Sequence, residues 1–101
     1  MKLDNEAKAA LKTCGIPERM HGGIIRFYEN GIPPGHFLSA VIDNDLKEAM
    51  GRADSENRNL IWNYVQWFYN WAPGGTWGRD GSVERWCDLF HSKDEFELVP
   101  E

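Results

Sequence analysis

With 101 residues, the chain has length for one hydrophobic core and no second domain is expected. A formal net charge of −5 and the absence of any basic run exclude general nucleic-acid binding, which draws its affinity from clustered Lys and Arg, and no apolar run approaches the ~20 residues of a membrane span. Five Trp, five Phe and three Tyr are many for this length, so aromatic surface has to fill a core or an interface.

Asp4 can cap a short first helix through Ala7, Ala10 and Leu11, which Gly15 ends. Pro17 suits the first turn of a second helix over about 17–29, where Met20, Ile24, Phe27 and Tyr28 recur at three- and four-residue spacings before Asn30-Gly31. Gly22 and Gly23 lie in its middle at about 1 kcal/mol each relative to Ala. Two readings stand open: a later helix start, or a neighbour close to the backbone.

Gly31-Ile32-Pro33-Pro34-Gly35 forms a stiff reversal, since two prolines fix φ and remove two donors. The spacing then predicts one central helix from about His36 to Met50, with Gly51 as C-cap and a further helix starting at Asp54 or Ser55. On a projection at about 100° per residue, Leu38, Val41, Ile42, Ala49 and Ala53 share a face into which Asp45 and Arg52 also fall. Two buried opposite charges call for pairing with each other or with Arg26, Asp54, Asn57 or backbone groups. Such a cluster either locks the helix corner or lines a pocket there.

A long helix over about 55–71 is expected to bury Leu60, Ile61, Tyr64, Val65, Trp67, Phe68 and Trp71, with Asn59, Asn63, Gln66 and Asn70 opposite. Trp62 and Tyr69 project at or beyond the edge of that arc, as rim residues of the fold or as anchors for a partner. Ala72-Pro73-Gly74-Gly75 stops the helix. Ser82 can cap a short last helix striped by Val83, Trp86, Leu89 and Phe90, and an acidic, loosely held tail is expected over 91–101. The whole reads as an all-α bundle of four to five helices with its core over about 16–90.

No motif names a reaction. On the projection Asp43 points about 160° away from Asp45, and His21, His36 and His91 have no metal-site spacing. Ser39 lacks a G-x-S-x-G setting, and the glycine pairs and Gly78-Arg79-Asp80-Gly81 lack the context of a phosphate loop. The expectation is therefore a non-enzyme with no metal or cofactor. Cys14 and Cys87 are far apart with no signal-peptide pattern, which favours free thiols and a cytoplasmic setting.

Four stretches stand out together: Ile16-Pro17, Met20, Gly23 and Arg26-Phe27; the run from Gly31 to Leu46; Gly51-Arg52-Ala53-Asp54 with Asn57; and Trp77-Gly78 with Val83 and Trp86. In this order they resemble the pattern of a group of small bacteriophage and prophage accessory proteins. Arg79-Asp80-Gly81 departs from the group's pattern, where a shorter Gly-Ser turn is usual. The resemblance implies action in the bacterial cytoplasm on a host component or a phage protein, and it carries over no catalytic residue.

The leading expectation is a protein that binds a host protein, in a counter-defence role, through exposed aromatics and an acidic surface. The alternative is a sequestering protein for a nucleotide signal. Its site would be built around Arg52, Asp45 and Asn44, with Trp62, Tyr69, Trp77 and Arg79 as stacking or charged parts, and it could sit at an oligomer interface.

Overall fold

The computed structural model describes the backbone of residues 2–98 and the side chains of residues 2–91. The described residues form seven helices and no strand: α1 (Asn5–Thr13), α2 (Glu18–Asn30), α3 (His36–Ile42), α4 (Leu46–Arg52), α5 (Ser55–Arg58), α6 (Ile61–Trp71) and α7 (Ser82–Leu98). The all-α class is as expected. Two of the expected long helices are each split in two, which raises the count.

α1 starts where Asp4 accepts the Ala7 N–H at 2.7 Å and ends at Gly15, whose φ of +83° lets the Ile16 N–H reach back to the Leu11 carbonyl. In α2, a Cβ at Gly23 would meet Leu38 of α3 only at an ordinary contact distance of 3.6 Å, and one at Gly22 would sit 2.8 Å from the guanidinium of Arg26 in the same helix. The helix spans both glycines, so it does not begin after them. Gly31 ends α2 at φ +65°, and a Cβ there would overlap the Phe90 ring. Only glycine admits both that backbone and the approach of α7.

The single central helix expected over 36–50 does not form. Asn44 takes φ +61°, the Asn44 N–H donates to the Val41 carbonyl and the Asp45 N–H to the Ala40 carbonyl. That is a Schellman stop with Asn in the glycine position, a residue that tolerates the left-handed region better than most. Asp45 then caps α4 by accepting the Glu48 N–H at 3.2 Å. Gly51 is an interior residue of α4, and Ala53 is the C-cap.

Asp54 caps α5 by accepting the Asn57 N–H at 2.8 Å. A turn at Asn59-Leu60 separates α5 from α6, so the helix expected over 55–71 is also two. Tyr64, Trp67 and Phe68 of α6 are fully buried, but Val65 and Trp71, expected in the core, are 37% and 39% exposed. The break at residues 59–60 shortens the helix and lets it rest on a narrower face.

The core collects Leu11, Ile24, Phe27, Tyr28, Ile42, Tyr64, Trp67 and Phe68, with Phe37, Leu38 and Cys87 around them. Its aromatic polar atoms all find partners. Trp67 donates to the Ala7 carbonyl (2.9 Å), Trp86 to the Phe27 carbonyl (2.7 Å) and Tyr64 to Asn57 Oδ1 (2.6 Å). Thr76 Oγ1 donates to the Pro73 carbonyl, so the Tyr28 hydroxyl donates to Thr76 at 3.0 Å.

Ser82 does not act as the expected cap. Its hydroxyl donates to the Arg79 carbonyl and accepts the Arg79 N–H, closing the Arg79-Asp80-Gly81 turn. The cap comes from elsewhere in the chain: Asp43 Oδ1 accepts the Val83 N–H at 2.8 Å, while the Gly78 N–H donates to the Ile42 carbonyl at 2.7 Å. The end of α3 thus fixes the start of α7. That helix runs to Leu98, past the short element expected to end near Phe90; the side chains of the expected acidic tail beyond His91 lie outside the described residues. Among the described residues no helix is long and apolar enough to cross a membrane.

Candidate functional site

The charges expected inside the core are on the surface. Asp45 and Arg52 are both exposed, and Arg52 Nε donates to Glu48 at 3.2 Å in an i,i+4 pair. The stop at Asn44 explains the difference: it breaks the 100° progression between Ile42 and Asp45, so a projection carried through the junction assigns α4 the wrong face. No Asp45–Arg52 clamp forms. Ala49 and Ala53 stay buried as expected.

Three of the nine residues singled out from sequence do meet. Arg52, Asp54 and Asn57 line a cleft of about 410 Å³ between the starts of α2, α3 and α5 and the end of α4. Arg19, Met20, His36, Phe37 and Leu38 complete its wall, and these the sequence did not single out. Arg19 Nη2 reaches both Asp54 and Glu56 at 2.8 Å. Hydrogen bonds from the Asn57 N–H and then from Arg19 hold the Asp54 carboxyl below its ordinary range, and Glu56 and Asp54 raise the Arg19 guanidinium.

Asn57 is 3% exposed and fixes the floor of the cleft. Its Oδ1 accepts the Tyr64 hydroxyl, and burial pushes that phenol well above its usual value. Its Nδ2 faces the Met20 thioether at 3.8 Å, a weak acceptor. One amide hydrogen of Asn57 therefore has no acceptor among the described residues, and neither do the Nη hydrogens of Arg52.

The remaining six lie elsewhere. Arg26 is exposed and folds over Gly22. Asn44 and Asp45 edge a shallow notch with Leu46, Ala49, Ile61 and Val65. Trp77 is half-buried and packs on Phe68 with ring centroids 5.7 Å apart. Trp62 and Tyr69 are 70% and 78% exposed.

Those last two define a second surface. Trp62, Val65 and Tyr69 are spaced three and four residues apart, on the side of α6 opposite Tyr64, Trp67 and Phe68. Val65 shares its notch with Leu46, which is 67% exposed, and Met50 lies one turn further along α4. Leu46 and Met50 were missed because a continuous central helix gives them no distinct face. The segment Ile61–Trp71 contains no charged residue.

Compared with known proteins, the chain matches no family model, no curated protein and no solved structure.

Proposed function

We propose that this chain is a non-enzymatic accessory protein, of the phage or prophage type its motifs resemble, that binds a host protein through the outer face of α6 and the adjoining edge of α4. One observation carries the reading: an uncharged helix already packed on one side keeps Trp62, Val65 and Tyr69 in solvent on the other, beside Leu46. Exposing that surface costs hydration free energy that a partner would recover. Trp and Tyr are also the residue types that dominate binding energy at interfaces. Counter-defence is the role the phage resemblance suggests.

The test is affinity capture from bacterial lysate with wild-type protein and with a Trp62→Ala/Tyr69→Ala variant, followed by reconstitution with the purified candidate. Wild type is expected to recover a partner that the variant loses. A folded wild-type protein in excess that recovers none, or equal recovery by both, overturns the proposal.

A second reading, sequestration of a nucleotide signal, rests on the cleft. The unused Asn57 amide hydrogen and the Arg52 Nη groups are donors suited to carbonyl or phosphate oxygens, above an apolar wall of Phe37 and Leu38. Against an anion stand Glu48, Asp54 and Glu56, which already occupy the two arginines. A thermal-shift screen over linear and cyclic nucleotides decides it, since a ligand at 100 times its Kd stabilises by about 2.7 kcal/mol. An unchanged Tm across that screen removes this reading.

A further inference from the structure

The outer face of α6 also suggests what covers it before any host protein arrives. At 70% and 78% exposure, Trp62 and Tyr69 alone leave about 300 Å² in water, taking 150–250 Å² as the area such a side chain can bury. Val65, and Leu46 beside it, extend the patch within the roughly 300–600 Å² that the largest apolar patch on a monomer spans, a size that is often functional. Its charge is as distinctive as its size. The chain carries −5, yet α6 has no charged residue and the stretch from Asp45 to Arg52 holds two acidic and two basic side chains, which cancel.

A neutral face on an acidic chain offers no sign preference to a basic or an acidic partner. It is instead the face by which two copies can meet without opposing their own net charge. Trp62 and Tyr69 are seven residues, about 10 Å, apart along one helix, so two antiparallel α6 helices would set Trp62 of one copy against Tyr69 of the other, with Val65 near the axis.

We infer that the free protein is a homodimer closed by the α6 outer faces, the subunits separating when a host protein takes the surface. The inference uses the surface named under the proposed function and has its own readout. Sedimentation equilibrium from micromolar to submillimolar wild-type protein should give a mass rising to twice that of the chain. Trp62→Glu and Tyr69→Glu should each weaken association at least ten-fold with an unchanged far-UV spectrum, and Trp62→Gln replaces the first if it fails to fold. Mixing Trp62→Glu with Tyr69→Lys should restore association, since the antiparallel register brings the new charges together.

Leu89→Glu, at another exposed apolar position on α7 (62%), should leave the dimer intact. A wild-type mass equal to one chain at every concentration overturns the inference. So does a dimer that survives Trp62→Glu and Tyr69→Glu, or one lost only in Leu89→Glu. A monomer with intact host capture would remove the dimer alone, and a dimer without capture would remove the host reading alone.

Discussion

The two faces of α6 have nearly the same chemistry and opposite fates. Inward, Tyr64, Trp67 and Phe68 are fully buried; outward, Trp62, Val65 and Tyr69 meet solvent. Residue type does not separate them. What does is the partner each face finds: the Trp67 indole reaches the Ala7 carbonyl of α1 and the Tyr64 hydroxyl reaches Asn57, whereas the outward aromatics make no hydrogen bond among the described residues. One helix thus serves as a wall of the core and as a surface with unused apolar area.

The sharpest way to break this contrast is to truncate one tryptophan on each side. Trp67→Ala should cost about 3–5 kcal/mol, the range for a large aromatic lost from a core, read as a collapse of the urea midpoint. A loss below about 1 kcal/mol would mean the inner face is not the core.

Tyr64→Phe keeps the ring and removes the hydroxyl that Asn57 Oδ1 accepts. It should cost about 1–3 kcal/mol because a buried acceptor loses its donor. An unchanged midpoint would show that water reaches Asn57.

The inward phenols also make stability depend on alkali. Burial raises Tyr28 to about 12 and raises Tyr64 as well. The unfolded chain ionises first, near pH 10, so their contribution is whole below about pH 10 and falls as pH rises toward the folded values. Chemical denaturation at about pH 9 and about pH 11 should show the fall, with a smaller difference in Tyr28→Phe. A flat profile would mean these phenols are solvated.

At the break that sets α4 beside α6, Asp45→Ala removes a helix cap and should cost about 1 kcal/mol. Arg52→Ala loses only an exposed i,i+4 pair and should stay within about 0.5 kcal/mol. The two effects should add in a double-mutant cycle, since the side chains do not touch; strong coupling would restore the clamp that the geometry excludes. Smallest of all, at protein concentrations low enough to keep the chain monomeric, Trp62→Ala and Tyr69→Ala should change stability by no more than about 0.5 kcal/mol. A large loss from either would show that the outer face supports the fold.

Much of this architecture was legible before any coordinates. The caps Asp4 and Asp54, the stops at Gly15 and Gly31, and the core residues Ile24, Phe27, Tyr28, Tyr64, Trp67 and Phe68 follow from spacing, because each depends on neighbours within one or two turns. The break at Asn44 did not, since Asn lacks the plain signature of glycine and apolar spacing continues through it. That one residue displaced Asp45 and Arg52 from core to surface and hid Leu46 and Met50. Of the cleft, the Arg52-Ala53-Asp54 and Asn57 side was visible, while Arg19, Met20, His36 and Phe37 arrive from distant segments.

The sequence by itself determined the all-helical class, both ends of α1 and α2, and the inner face of α2 with Tyr64, Trp67 and Phe68 of α6, through local hydrogen bonding and the 3.6-residue period. Tertiary structure alone decided which carboxylate caps α7, that Gly31 must be glycine to admit Phe90, and which aromatics of α6 stay in solvent. Those outcomes depend on contacts between residues 40 to 60 positions apart, and a pattern with a period of a few residues holds no information about such distances.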